Sequence, residues 1–195
     1  MPHKQKRDLE ATKKVLLEAA KELMTTCSDS DEVTSRKIAA KAQVNPAMIN
    51  YCYGSRENLL YEVFKQLLSD AQIARPELAE LLHADIPAKQ RLIMLHFGMM
   101  KLMIENFSYS KAITKYILLN RSDSIGMESL PYIIEHFDGQ KNAGECKLIA
   151  FEISSLHELA VLRHIELKQL CGIDLTDDDT LMAYITNNVE RFLEQ

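Results

Sequence analysis

Two dipeptides punctuate residues 34–60 and restrict what this chain can fold into: Asn45-Pro46 and Gly54-Ser55. Thr34 and Ser35 can accept backbone N–H bonds at a helix start. Ile38, Ala39 and Ala42 then give one apolar face at helical spacing. That pattern breaks at Gln43-Val44. Asn45-Pro46 restarts it as an N-cap followed by a first-turn proline. Ile49 and Tyr53 lie four apart and turn inward with Val44, which leaves Pro46, Ala47, Asn50 and Tyr51 facing out. Gly54-Ser55 ends the second helix and caps a third beginning near Arg56. Small, amide and aromatic side chains line the outward face, where an exposed helix usually carries Lys and Glu. Two short helices about a tight turn, with a polar outer face, have helix-turn-helix geometry; in that motif the second helix enters the DNA major groove.

At these residues the chain resembles the TetR (tetracycline-repressor) family of bacterial transcriptional regulators. The residues that carry the likeness are Thr34, Ile38-Ala39, Ala42-Gln43-Val44-Asn45, the run Ile49 to Tyr53, and Ser55-Arg56-Glu57-Asn58-Leu59. Upstream, Val15 to Met24 looks like the family's first helix. The likeness spans about residues 9–64, with the helix-turn-helix motif at 34–53. Three departures stand out. Gln43 replaces the usual turn glycine, so a left-handed backbone there is strained. Asn50 and Cys52 replace common aromatic or His positions. The resemblance implies an all-α homodimer of about nine helices. Residues 1–65 would be a three-helix DNA-binding head, and 66–195 a helical body for ligand binding and dimerisation.

Charge is split in the same sense. The net charge is −5, yet residues 1–65 carry 11 Lys and Arg against 9 Asp and Glu, and the remainder 12 against 19. A mildly basic end on an acidic body suits DNA held at one end. Six Gly and five Pro in 195 residues favour long helices over many turns, and strand signals are nearly absent. No apolar run reaches the roughly 18 to 20 residues of a membrane span. The polar start, Met-Pro-His-Lys-Gln-Lys-Arg, has no apolar segment after it, so no signal peptide is expected and the protein is placed in the cytoplasm. Cys27, Cys52, Cys146 and Cys171 have no paired spacing and are expected as reduced thiols.

Helical periodicity predicts elements over about 9–27, about 56–72, from Asp85-Ile86-Pro87 to about 106, and over 108–120, 145–170 and 177–194. A loop around one short helix is expected between 121 and 144. The acids of Asp177-Asp178-Asp179 suit the start of the last helix.

The expected DNA-contacting set is Thr34, Ser35, Arg36, Asn45, Pro46, Ala47, Met48, Asn50, Tyr51 and Arg56. Arg36 either reads guanine O6 and N7 or is a solvated helix arginine. Asn50 either bonds adenine or sits beside the groove, and Tyr51 touches a phosphate or a thymine methyl. By analogy with the family, Arg56 and Thr34 are phosphate clamps. The resemblance also implies a pocket for a small, largely apolar effector among the middle helices. Its candidates are His96, Phe97, Met100, Met103, Tyr116, Tyr132 and Phe137; for each the alternative is ordinary core. The two long last helices suggest a dimer interface drawn from Ile153, Leu156, Leu159, Ala160, Leu181, Tyr184, Ile185 and Val189, or else intramolecular core. His157-Glu158 lacks the second His at position 161 that a zinc protease needs, so no metal is expected. With no Gly-rich phosphate loop, Gly-x-Ser-x-Gly elbow or Cys/His nucleophile pair in the sequence, neither a cofactor nor enzymatic activity is expected. The alternative to a repressor is a helical sensor or protein-interaction module that has lost operator binding. A lost turn at Gln43 would favour it.

Overall fold

The computed structural model describes residues 2–27, 29–74, 85–120 and 126–194; within them the side chains of 2–8, 68–74, 112, 115–117 and 120 are left aside. Among the described residues there are ten α-helices, one 3-10 turn (Ser30–Glu32) and no strand. The helices are α1 (Pro2–Thr26), α2 (Ser35–Lys41), α3 (Ala47–Tyr53), α4 (Arg56–Ala74), α5 (Ala88–Glu105), α6 (Phe107–Asn120), α7 (Leu130–Phe137), α8 (Ala143–Leu162), α9 (His164–Cys171) and α10 (Asp178–Leu193). The fold is all-α, as expected.

The head is built on one apolar seam. Leu16 and Ala20 of α1, Ile38 of α2, Ile49 of α3 and Leu59, Leu60 and Val63 of α4 are all fully buried together. Tyr53 pins the end of α3 to α1 by donating its hydroxyl to the Lys13 carbonyl at 2.8 Å. Burial of that phenol pushes its pKa up to about 12. Ser55 caps α4 by accepting from the Asn58 N–H at 3.0 Å, and the Asn58 amide donates back to the Tyr53 carbonyl at 2.8 Å.

In the body α5 packs most widely on α10 and α7, with α8 beneath, while α6 lies between α4 and α8. The core there is Leu92, Met100, Ile113, Ile133, Ile153, Leu181, Ile185 and Val189. Gly126 lets the segment before α7 lie against α8. Its φ is +80°, and an added Cβ would stand 2.4 Å from the Ala150 carbonyl oxygen. That close approach seats Glu128 and Ser129 beside α8.

Two expected boundaries move. Helix α1 begins at Pro2 rather than near residue 9, so Lys4, Lys6 and Arg7 belong to it. The expected helix over about 145–170 is broken at Arg163 (φ −114°, ψ 22°) into α8 and α9. There His164 turns aside: its Nδ1 reaches the Val161 carbonyl at 2.9 Å and its ring meets Phe107 edge-on at 4.4 Å.

Candidate nucleic-acid interface and body cavity

The turn between α2 and α3 is set by backbone bonds. The Gln43 N–H donates to Ala40 and the Val44 N–H to Ala39, at 3.2 and 3.0 Å. This is the Schellman pattern, which requires a left-handed residue just past the helix end. Gln43 supplies it at φ +55°. The turn that glycine would make freely is therefore retained at the cost of local strain. Asn45 Oδ1 accepts from the Ala47 N–H at 2.9 Å and starts α3. Pro46 already has helical φ and ψ of −52° and −30°.

These bonds present one outward surface. Tyr51 is 72% exposed, and Asn45, Pro46, Ala47 and Asn50 are exposed around it, with Met48 half-buried. Thr34 and Arg36 are exposed at the start of α2, and Ser35 is half-buried. The side chains of Arg36, Asn50 and Tyr51 have no hydrogen-bond or ion-pair partner among the described residues. Thr34 Oγ1 accepts from the Lys37 N–H at 3.3 Å, which leaves its O–H free to donate.

Arg56 departs from its expected place. Its Nη1 donates to the carbonyls of Ser30 and Val33, both at 3.3 Å, and its Nε to Glu57 Oε1 at 3.0 Å. Only 19% of its side chain is exposed. The guanidinium ties the 3-10 turn to α4, which fits its fork of donors. The same turn is held to α6. The Ser30 N–H donates to Ser108 Oγ at 2.9 Å, and the Tyr109 hydroxyl donates to the Cys27 carbonyl.

The expected pocket residues separate. His96, Met100 and Met103 line a cavity of about 30 Å³ with Met99, Gly126, Glu128, Ser129, Ser154, His157 and Glu158. Phe97, one step round α5, instead lies under the Lys101 ammonium at 5.8 Å. Tyr132 lies under Arg91 at 5.5 Å, and Phe137 is buried against His136. Neither reaches this cavity. The Tyr116 side chain lies outside the described residues.

The cavity wall is apolar over most of its area, through Met99, Met100 and Met103, and carries one cluster of polar groups. His157 Nδ1 is 3.0 Å from His96 Nδ1, His96 Nε2 is 3.0 Å from Ser129 Oγ, and that oxygen is 3.3 Å from Ser154 Oγ. Burial drops the His96 pKa to about 4 and holds His157 well below the usual imidazole range, so both rings are neutral. Glu158 Oε2 and His157 Nε2 are buried with no partner. Burial, with help from neighbouring Glu128, raises the Glu158 pKa to about 7. In the sequence His157-Glu158 stands out only as an incomplete metal motif, and Ser129 and Ser154 do not stand out at all. Nothing local marks them, because their burial comes from Gly126 and from helices far apart in the chain. No cluster of three or more His, Cys, Asp or Glu side chains that could hold a metal occurs among the described residues.

The expected dimer residues also divide. Ile153, Ala160, Leu181, Ile185 and Val189 are buried inside the single chain, because α8, α10 and α5 close on one another. Leu156 and Tyr184 are half-buried, and Leu159 is exposed. The outward stripe of α8 is instead Leu148, Phe151 and Leu159, about half exposed each. Beside it Leu156, Leu159, Leu167, Leu170 and Tyr184 line an apolar groove of about 230 Å³. No helix of the described residues is long and apolar enough to cross a membrane. No protein-family model matches the chain, and a search of the curated proteins finds no match.

Proposed function

We propose that the chain is a TetR-like transcriptional regulator, most simply a repressor, acting in the cytoplasm. A homodimer binds a palindromic duplex operator through α2 and α3 and is released when the body takes up a small effector. The observation that carries this reading is the outward surface of α3. Tyr51 is bare, with Ala47 and Asn50 exposed on the same helix, Arg36 is unpaired at the start of α2, and the turn between the two helices is strained but intact. A large exposed aromatic on a helix with no exposed charge suits contact with bases and phosphates better than contact with water. The intact turn at Gln43 counts against a head that has lost its operator. Arg56 is left out of the contact set, because its Nε and Nη1 already bond within the chain and its side chain is largely buried.

Selection of binding sites from random duplexes tests the reading. A palindrome should be enriched, with half-sites about one helical turn, about 34 to 36 Å, apart or a multiple of it. Arg36→Ala should then weaken the selected site by roughly 1–3 kcal/mol and relax the preference at one base pair. Enrichment of no sequence would leave the head as a protein-interaction module. Equal loss on selected and random duplex would remove Arg36 from base reading.

A further inference from the structure

The body cavity carries an imbalance that its protein neighbours do not correct. Its described walls hold two carboxylates, Glu128 and Glu158, and no Lys or Arg. The two histidines beside them are held neutral by burial and do not balance them. Glu158 Oε2 finds no donor although it is buried. Buried polar groups are almost always paired, so an orphan of this kind marks a place for an absent partner.

The histidine chain says which partner. Two Nδ1 atoms 3.0 Å apart share one hydrogen. With that hydrogen on His157, its Nε2 is a bare lone pair; His96 then donates from Nε2 to Ser129, and Ser129 donates to Ser154. With the hydrogen on His96, His157 Nε2 is a buried N–H with nothing to bond. Orphaned buried N–H groups are rarer than under-used acceptors, so the first arrangement is favoured. The cavity then offers a carboxylate and an imidazole nitrogen, both acceptors, to one donor. His157 is itself only 2% exposed. At about 30 Å³ the space takes a water-sized group. Met99, Met100 and Met103 give the walls an adaptable surface on which an alkyl chain packs.

We infer that the effector is a small primary amine whose ammonium head enters this cavity, donating to Glu158 and to His157 Nε2 with Glu128 as a second counter-charge. This rests on reading the body as the effector site.

Calorimetric titration of the full chain tests it with three probes near pH 8.5: n-butylamine, n-butanol and tetramethylammonium. The first keeps charge and N–H donors, the second keeps the shape and one neutral O–H donor without the charge, and the third keeps charge without donors. Butylamine should bind about tenfold or more tightly than either, as expected for hydrogen bonds between charged groups. Glu158→Gln should cost about tenfold in butylamine affinity, while Glu105→Gln, outside the cavity, should bind as the parent does. Thermal melts of both variants establish that they remain folded. Butanol binding as well as butylamine, unchanged butylamine binding in Glu158→Gln, or a cavity that holds water only and takes no amine each overturns the inference. Operator affinity measured with and without butylamine is a separate readout. Amine binding with operator affinity unchanged supports this site and overturns its regulatory role, whereas a head that binds no duplex leaves the calorimetry intact.

Discussion

Glu158 and the histidines beside it pull stability in opposite directions as pH changes. The folded-state pKa of Glu158 is about 7 against an ordinary value of 4.5. Between those values the folded chain holds a proton that the unfolded chain releases, so stability falls as pH rises through the window, by about 1.4 kcal/mol per unit. His96 has the reverse sign. Its pKa is about 4 against an ordinary 6.5, so the unfolded chain binds the extra proton and stability rises with pH between those values. His157 acts in the same sense. The groups facing Glu158 are Glu128 ahead of α7, His96 on α5 and its own neighbour His157. Glu158→Gln removes only the falling component. In amine-free buffer it should match the parent near pH 4.5 and exceed it by up to about 3 kcal/mol above pH 7, read from urea melts at several pH values. A difference that does not change with pH would show that the carboxyl is not buried as drawn. At Gln43 the strain is conformational. A left-handed side-chain-bearing residue costs about 1–2 kcal/mol, of which glycine returns part as chain entropy. Gln43→Gly should therefore raise stability by about 0.5–1 kcal/mol, or about 1–4 °C in Tm, with operator affinity unchanged. A lower Tm would mean that the Gln43 side chain makes a contact worth more than the strain.

Elements joined at their ends carry the next level of organisation. Three of them meet at the Ser30–Glu32 turn: α4 through Arg56, α6 through Ser108 and Tyr109, and α2 through Val33, which precedes it and is fully buried. Arg56→Ala strips two carbonyls of a charged donor and should cost about 1.5–3 kcal/mol. Hydrogen exchange should show the loss at residues 30–33 and in the first turn of α4. Arg56→Lys should restore only part, because one ammonium can meet both carbonyls as Nη1 does but supplies no counterpart to the Nε bond to Glu57. If Arg56→Ala instead leaves stability intact and flattens the salt dependence of duplex binding by about one ion, the sequence-based expectation of a phosphate clamp holds after all. The contrast shows what sequence alone can settle. The caps at Thr34, Asn45 and Ser55 act within three residues of themselves and are legible from spacing. The partners of Arg56 lie 23 and 26 residues away and are not. The break at Arg163 has neither Gly nor Pro to announce it, and the ring contact that accompanies it comes from Phe107.

For the whole molecule, the question is which apolar surface remains once the chain has buried what it can. Periodicity marks α8 and α10 as apolar but does not say which stripe turns inward. The five buried residues, Ile153, Ala160, Leu181, Ile185 and Val189, bind α8 and α10 into the body. What is left over runs along α8 through Leu148, Phe151 and Leu159, with Leu170 of α9 beside it at 83% exposed. Contiguous exposed apolar surface of this kind is a mark of an interface. A two-fold dimer would set the stripe against its own copy. Leu159→Glu tests this without touching the core, since the side chain it replaces is already 52% exposed. The variant should melt within a few degrees of the parent yet run as a monomer by light scattering at micromolar concentration. Duplex affinity should fall with it. Two heads on one body bind a palindrome with an effective concentration that a lone head lacks, a gain of about 10²–10⁴. Ile185→Glu is the counterpart: it places a charge in the intramolecular core and should unfold the body whether or not a dimer exists. If Leu159→Glu stays dimeric with full operator affinity, the α8 stripe is not the interface. If it is monomeric and still binds the selected duplex as tightly as the parent, one head suffices and the requirement for a paired operator falls.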